Sequence, residues 1–268
     1  PPPPLFFFTQ KPEYQILSGL VGSDMCIRDR SKIVHSGDGE MYDGIWLEIA
    51  GSGPPVLLTH GFGDDASTWD ALFSRLSQRY TVMRWDLPGH RKSVGYSRDP
   101  RDYEREKVGE IFDCLLVRLR ESASECNVHL VGHSLGGYLS LHRAVREPHS
   151  VRGLVLIASG PGFKREKARA KWNSMTDKAA SIFGLESYVA PLCRQKDSLI
   201  LDSLGRLHMP ILQICGSLDT HYSEGMKVIE QSAPLVKTYI ADNAKHHVHV
   251  SHYEEVANNI LDFFTEVS

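Results

Sequence analysis

The sequence predicts an α/β fold in which a mostly parallel central sheet carries helices on both of its faces. Short apolar runs, typical of strands buried on both sides, alternate along the chain with stretches whose apolar residues recur at helical spacing. The length of 268 residues, 41% of them hydrophobic and 24% charged, is enough for one large domain with a buried core. No apolar run approaches the ~20 residues of a membrane-spanning helix.

The first 30 residues differ from the rest of the chain. They begin with four prolines, and neither a helical nor a strand period is present from Phe6 to Arg30. Residues 6–30 resemble translated sequencing-adapter sequence, of the kind found in gene models from environmental (metagenomic) DNA; the alternative is a disordered native extension. We therefore expect a non-native or disordered head at residues 1–30 and one domain at residues 31–268.

The remaining elements follow in order along that domain. Apolar runs predict strands at residues 45–50, 56–59, 80–85, 128–131, 154–158, 211–215 and 236–240. Apolar stripes at helical spacing predict helices at about residues 69–76, 103–121, 135–147, 223–232 and 253–265. Residues 160–206 contain helix-like stretches but no convincing strand, so we expect a small helical insertion, or lid, there.

A serine flanked by glycines lies where a predicted strand passes into a predicted helix, in Gly-His-Ser-Leu-Gly at residues 132–136. A serine on such a sharp turn takes a strained backbone conformation, and the two glycines permit close approach of neighbouring chain. The helix N-terminus directs N–H groups towards the reacting centre. The bare pattern arises easily by chance, but its position between strand and helix favours Ser134 as a nucleophile.

Three further groups follow predicted strands at their carboxyl ends, where open α/β sheets place their sites. The turn His-Gly-Phe-Gly at residues 60–63 can direct the N–H of Phe62 at a developing oxyanion, with the N–H of Leu135 as the second donor. Asp219 follows the strand at 211–215, and His246 follows the strand at 236–240. The chain order is therefore serine, aspartate, histidine.

With these motifs the chain resembles the α/β-hydrolase superfamily of serine hydrolases, especially its small bacterial members with a short helical lid. The likeness covers nearly all of residues 41–268 and includes Asp-Leu-Pro-Gly-His at 86–90. It implies an enzyme that cleaves a small carboxylic ester or related acyl substrate through an acyl-enzyme, without a cofactor. Ser134 would attack, His246 would take its proton and Asp219 would orient His246. A resemblance at this level does not name the substrate.

Four neighbouring histidines compete for the role of base. The family pattern places the base ten residues before Val256, at His246, with His247 as the alternative one residue later. His246, His249 and His252 also have metal-ligand spacing, but no carboxylate or thiolate is placed in the sequence to complete a zinc set, so we expect no metal. His249 and His252 are expected to face the lid or the solvent.

Asp219 has two competing interpretations. Some relatives place the acid after the strand predicted at 154–158, but that strand ends in Ser-Gly-Pro without an acidic residue. Asp219 could instead cap the helix that begins near Ser223. We expect it to be the catalytic acid.

Substrate contacts are predicted at His133, Trp172 and Met175, and Phe183 is a plausible pocket wall. Ala168, Trp172, Met175 and Ala179 also form a stripe at helical spacing, which more often indicates a buried helix face. Residues 164–206 carry a net charge of +4, which could favour an anionic substrate but more commonly serves solubility.

Two positions depart from the family pattern. Arg91 stands where relatives usually have glycine, and a positive φ there would cost about 1 kcal/mol. Lys245 replaces the usual glycine before the catalytic histidine.

The composition also bounds partners and location. Thirty basic and 33 acidic residues give no electrostatic case for nucleic acid. Five scattered cysteines without Cys-x-x-Cys favour a reduced, cytoplasmic protein. The sequence leaves the oligomeric state open.

Two alternative functions remain. One is a C–C bond hydrolase, small-acid lyase or thioesterase with the same triad, and the other is a slow-hydrolysing ligand sensor that signals through its lid.

Overall fold

The computed structural model describes residues 34–36 and 39–267, so the predictions for residues 1–30 and for a domain start near residue 31 lie outside the described residues. The strands are β1 (Val34–Ser36), β2 (Gly39–Tyr42), β3 (Ile45–Ala50), β4 (Pro55–Thr59), β5 (Thr81–Trp85), β6 (Val128–His133), β7 (Val151–Ile157), β8 (Ile211–Gly216) and β9 (Val236–Ala241). The α-helices are α1 (Asp70–Leu76), α2 (Arg105–Ser122), α3 (Leu135–Arg146), α4 (Glu166–Asn173), α5 (Thr176–Ile182), α6 (Leu199–Ser203), α7 (Ser223–Ser232), α8 (Val248–Ser251) and α9 (Tyr253–Glu266).

All the strands of the described residues join one sheet in the order β1-β2-β3-β5-β4-β6-β7-β8-β9. The first three strands pair antiparallel with their neighbours, and every pairing from β5 to β9 is parallel. β4, β6 and β8 are buried along their whole lengths, which explains their continuous apolar sequences. The predicted sheet is confirmed.

The core lies on both faces of this sheet, as the alternation within β4 illustrates. Leu57 packs into the cluster that contains α2 and α3 residues, whereas Val56 and Leu58 pack into the cluster that contains α1 and α9 residues. Neighbouring side chains of a strand point to opposite faces, so each buried strand supplies both layers.

The insertion at residues 160–206 contains α4, α5 and α6 and lies between β7 and β8. The expected stripe of Ala168, Trp172, Met175 and Ala179 is not a buried face: no residue of α4 is buried, and Met175 is 47% exposed. The reason is that α4 ends at Asn173 and α5 begins at Thr176, so the helical period is interrupted at Met175.

Polar contacts attach the insertion to the core. The buried Arg105 guanidinium at the start of α2 donates two hydrogen bonds to the carboxylate of Asp197, at 3.0 and 2.6 Å. The Lys196 ammonium pairs with Glu104 and Glu106. The insertion is thus anchored at its C-terminal half by charged groups.

The cysteines agree only in part with the expectation of reduced thiols. Cys126, Cys193 and Cys215 are free. Cys114 is disulfide-bonded. Within the described part of the chain, no helix combines the length and apolar character that crossing a membrane requires.

Candidate active site

Ser134 occupies a strained turn between β6 and α3. Its φ of 50° and ψ of −114° lie in a region that non-glycine residues rarely adopt. A side chain on Gly132 would overlap the backbone of Gly136, and one on Gly136 would overlap the carbonyl oxygen of Thr59. The two glycines of the motif are therefore required by close approach, as the sequence predicts.

Hydrogen bonds to Ile157, at the end of β7, and to Ser159 hold this turn in place. The Ser134 N–H donates to the carbonyl oxygen of Ile157 at 2.9 Å, and the Ser134 carbonyl accepts from the hydroxyl of Ser159 at 2.7 Å. These bonds satisfy the backbone of a residue that belongs to neither strand nor helix. The hydroxyl of Ser134 takes no part in these bonds.

Asp219 and His246 form a close pair at the same edge. The Nδ1 atom of His246 lies 2.6 Å from Oδ2 of Asp219, whose side chain is almost fully buried. The Asp219 N–H donates to the carbonyl of Gly216, the last residue of β8, which holds the acid close to its strand. The capping residue of α7 is Tyr222, so Asp219 does not serve as that cap.

The competing base, His247, points elsewhere. Its Nε2 atom lies 2.9 Å from Oδ1 of Asp64, and that bond raises the pKa of His247 although burial opposes the shift. Of the two candidates, His246 alone is paired with the predicted acid, which favours the family-based choice.

Tyr222 is a site residue that the sequence did not reveal. Its hydroxyl lies 3.3 Å from Oγ of Ser134, and its ring stacks on that of His246 with centres 4.9 Å apart. Burial raises the pKa of the phenol, so it stays protonated. Tyr222 therefore bridges the predicted nucleophile and the predicted base. Its position three residues after Asp219 was the only available signal.

The expected oxyanion turn has a suitable backbone. The Asp64 N–H donates to the carbonyl of Gly61 at 3.2 Å, and Gly63 has a φ of 84°, as a type II turn requires. Phe62 holds the second position of this turn, whose N–H is not used by the turn itself. Leu135 is the first residue of α3, so its N–H has no acceptor within the helix. A Cβ on Gly61 would lie 3.2 Å from Cβ of Ser134, so the turn adjoins the nucleophile.

This geometry agrees with the comparison to known families. The sequence model of the alpha/beta hydrolase family matches residues 56–259. The chain belongs to this family. The matched range spans residues 60–63, Ser134, Asp219 and His246.

Individual related proteins match shorter stretches of this chain than the family model does. An uncharacterized protein of Mycobacterium tuberculosis is 41% identical over 115 residues, 42% of this chain and 31% of that protein. A pimeloyl-[acyl-carrier protein] methyl ester esterase of Nitrosomonas europaea is 34% identical over 140 residues, 52% of this chain and 50% of that protein. The chain thus matches half or less of the length of these curated relatives.

Solved structures share the fold. A bromoperoxidase from Bacillus anthracis superposes with a TM-score of 0.69 at 19% sequence identity, over 82% of this chain and 95% of that one. The predicted α/β-hydrolase fold is confirmed.

His133, a predicted substrate contact, lies in the interior. Its side chain is only 1% exposed; Nδ1 lies 3.1 Å from Oδ2 of Asp64 and Nε2 lies 3.2 Å from the carbonyl oxygen of His246. Burial lowers the pKa of His133. Both nitrogens are engaged in the interior, which does not favour substrate contact by the ring; for His133 this contact stays a prediction.

Asp64 is the second residue that sequence reasoning missed. Burial opposes its charge, but hydrogen bonds from His133 and His247 hold its pKa well below the usual range. The sequence argument against a metal concerned His246, His249 and His252. A different set, Asp64, His133 and His247, brings three potential ligand atoms within 4.8 Å of one another.

The other site predictions have mixed outcomes. His249 is buried, with its ring 4.6 Å from that of Trp69 and Nε2 2.9 Å from the Thr68 hydroxyl, so its expected exposure is wrong. Trp172 donates from Nε1 to the Cys193 carbonyl within the insertion. For Trp172 and Met175 substrate contact stays a prediction.

Phe183 has the clearest relation to the site among the residues of the insertion. Its ring meets that of Phe62 edge-on with centres 6.0 Å apart, and a side chain on Gly63 would collide with it. Phe183 is nevertheless 55% exposed. An apolar wall thus stands over the oxyanion turn with one face open to solvent.

Arg91 confirms the expected departure from the family pattern. Its φ is 40°, in the region where relatives place glycine. The following residue stabilises the turn, since the Lys92 N–H donates to Oδ2 of Asp86 at 3.0 Å.

Proposed function

We propose that this chain is a serine hydrolase that cleaves a small carboxylic ester or related acyl substrate. The observation that carries the proposal is the 2.6 Å pair of His246 and Asp219, with Tyr222 touching both His246 and the strained Ser134. A nucleophile, a base and an acid that orients the base are the groups that acyl transfer needs. Relatives named as methyl ester esterases support an ester as the substrate.

In this mechanism His246 accepts the proton of the Ser134 hydroxyl as the oxygen attacks the substrate carbonyl. Asp219 holds the proton on Nδ1 of His246, which leaves Nε2 free to act as the base, and then stabilises the imidazolium. The N–H groups of Phe62 and Leu135 bind the oxyanion of the tetrahedral intermediate. His246 next protonates the departing alkoxide, and an acyl group remains on Ser134.

Deacylation repeats these steps with water. His246 removes a proton from the water, the resulting hydroxide attacks the acyl carbonyl, and Ser134 leaves with the proton from His246. Tyr222 must exchange its contact with the Ser134 hydroxyl for another partner when the serine turns towards the substrate. The scheme uses side chains and backbone N–H groups of this chain only.

The substrate class is open to direct measurement with p-nitrophenyl esters and thioesters from acetyl to dodecanoyl. We expect turnover that depends on acyl length and is abolished in Ser134→Ala. The matched control is Ser122→Ala, an exposed serine at the end of α2, which we expect to behave as wild type. Turnover by Ser134→Ala near the wild-type level would contradict the proposal. The cytoplasmic location remains a prediction from composition.

A further inference from the structure

We propose that Asp64, His133 and His247 form a binding site for one divalent transition-metal ion of the Zn²⁺ class, next to the proposed catalytic centre. The three side chains come from the oxyanion turn, the end of β6 and the segment before α8. Two imidazole nitrogens and a carboxylate form a ligand set suited to such an ion, and they leave a coordination position open to water.

The distances fit a shared ion after a small adjustment. Oδ2 of Asp64 lies 3.1 Å from Nδ1 of His133, Oδ1 lies 2.9 Å from Nε2 of His247, and the three ligand atoms lie within 4.8 Å of one another. Zn–N bonds of about 2.0–2.1 Å at a tetrahedral angle put two imidazole ring centres roughly 5 Å apart. The rings of His133 and His247 are 4.9 Å apart.

The hydrogen bonds of His133 provide an independent argument. A neutral imidazole has one N–H to donate and one lone pair. Both nitrogens of His133 face oxygens that can only accept, namely the ionised Asp64 carboxylate and the carbonyl of His246. One nitrogen lone pair therefore points at an acceptor unless a cation or a second proton lies between them.

Two other buried histidines near the site, His60 and His90, have a different arrangement. His60 faces the Gly61 carbonyl with one nitrogen and accepts from the Leu87 N–H with the other. His90 likewise faces the Pro88 carbonyl and accepts from the Gly63 N–H. Each has one donor and one acceptor as partners, so a neutral ring satisfies both. Of these three, His133 alone has two acceptors.

A metal ion on Nδ1 of His133 removes the conflict between its two acceptor partners. It also accounts for the contact that Nε2 makes. Metal-binding histidines typically donate their second N–H to a backbone carbonyl or a carboxylate, which fixes the tautomer. Here Nε2 of His133 lies 3.2 Å from the carbonyl oxygen of His246. The side chain of His247 is half exposed, which provides a route for the ion from solvent.

The test uses the full chain and measures binding directly with Zn²⁺ by titration calorimetry and with Co²⁺ by visible absorption. We expect one ion per chain, a raised melting temperature, and a Co²⁺ spectrum of nitrogen and oxygen ligands without a thiolate charge-transfer band. Asp64→Asn and His247→Gln should each weaken binding at least about tenfold, because each removes a ligand. His247 is half exposed, so His247→Gln decides the matter if Asp64→Asn fails to fold.

Two matched controls address adventitious binding. His149→Gln removes an exposed imidazole and Cys126→Ser an exposed thiol, and neither should change the affinity. The proposal is overturned if the wild type does not bind Zn²⁺, in which case a proton on His133 is the occupant, or if His247→Gln binds as tightly as the wild type. Ester hydrolysis is not measured, so either outcome is independent of the proposed function.

Discussion

The carboxyl edge of the parallel sheet and the insertion at residues 160–206 meet at the candidate site but are held in different ways. At the sheet edge, β4, β6 and β8 are buried throughout, and Gly132 and Gly136 leave no space for a single methyl group. In the insertion, α4 has no buried residue and Ile182 of α5 is 70% exposed. The later part of the insertion is held by Val189, Leu192 and Ile200, which pack into the core, and by ion pairs such as that between Arg105 and Asp197.

The difference suggests that the sheet edge and the insertion have different roles. The groups proposed for catalysis depend on backbone geometry that packing fixes, as catalysis by preorganised groups requires. The insertion places Phe183, a half-exposed ring, over the oxyanion turn. We therefore expect substitutions at the sheet edge to reduce turnover or stability, and substitutions in the insertion to change substrate preference.

Asp219→Asn tests the sheet edge most severely. The amide removes the carboxylate that orients and stabilises His246, so kcat for ester hydrolysis should fall by roughly 10³- to 10⁴-fold with little change in melting temperature. Asp177→Asn, at an exposed ion pair with Arg194 in the insertion, should leave kcat unchanged. Equal effects of the two substitutions would remove the distinction between the regions.

Gly136→Ala tests whether packing fixes the serine turn. The added methyl group overlaps backbone oxygens of Thr59 and His60, so we expect the free energy of unfolding to fall by roughly 1–3 kcal/mol, together with a loss of turnover. Gly160→Ala is the matched control, because its methyl group would lie 3.7 Å from the nearest atom. Chemical denaturation of both variants measures the difference. A Gly136→Ala protein as stable as Gly160→Ala would contradict the account.

Phe183→Ala tests the role of the insertion in selectivity. Losing the aromatic wall should raise KM for long-chain esters by roughly tenfold, and affect acetyl esters less, because apolar contact contributes about 1–3 kcal/mol. The ring is 55% exposed, so stability should change little. The neighbouring Ile182→Ala removes a more exposed apolar side chain and should alter neither quantity. An equal change of KM at all chain lengths would argue against a wall for the acyl chain.

The smallest expected effect is the pH dependence of insertion docking. Hydrogen bonds from Arg105 lower the pKa of Asp197 from 3.8 to about 2. Because the folded-state value is depressed, the pair stabilises the fold above 3.8, and this contribution is lost as pH falls towards 2. The carboxylate is nearly half exposed, so solvent screening keeps the contribution small.

Limited proteolysis within residues 160–206 measures this docking. Cleavage of the wild type should increase as pH falls through that range, with an acid-stable protease, while Asp197→Asn should be cleaved faster at neutral pH and respond less to acid. Parallel pH profiles for the two proteins would show that this pair does not hold the insertion.

The sequence predicts the sheet edge better than it predicts the insertion. Ser134, the pairing of Asp219 with His246 and the positive φ of Arg91 could be anticipated, because they depend on local patterns and on strand ends that meet at one edge. The break between α4 and α5 could not, since nothing in the stripe marks it.

Contacts between distant segments were also missed. Asp64 meets His133 across 69 residues and His247 across 183 residues. Such contacts depend on how loops at the sheet edge converge, which neither periodicity nor spacing encodes. His249 was placed wrongly for the same reason, because its partner Thr68 lies 181 residues away.

The central claim is that Ser134 is a nucleophile activated by His246 and oriented through Asp219. It is tested most directly by incubating the protein with a fluorophosphonate and locating the adduct by peptide mass spectrometry. The account predicts a single phosphonylated residue at Ser134, formed much more slowly in His246→Ala and Asp219→Asn. An adduct at another residue, or labelling of Ser134 at the same rate in all three proteins, would contradict it.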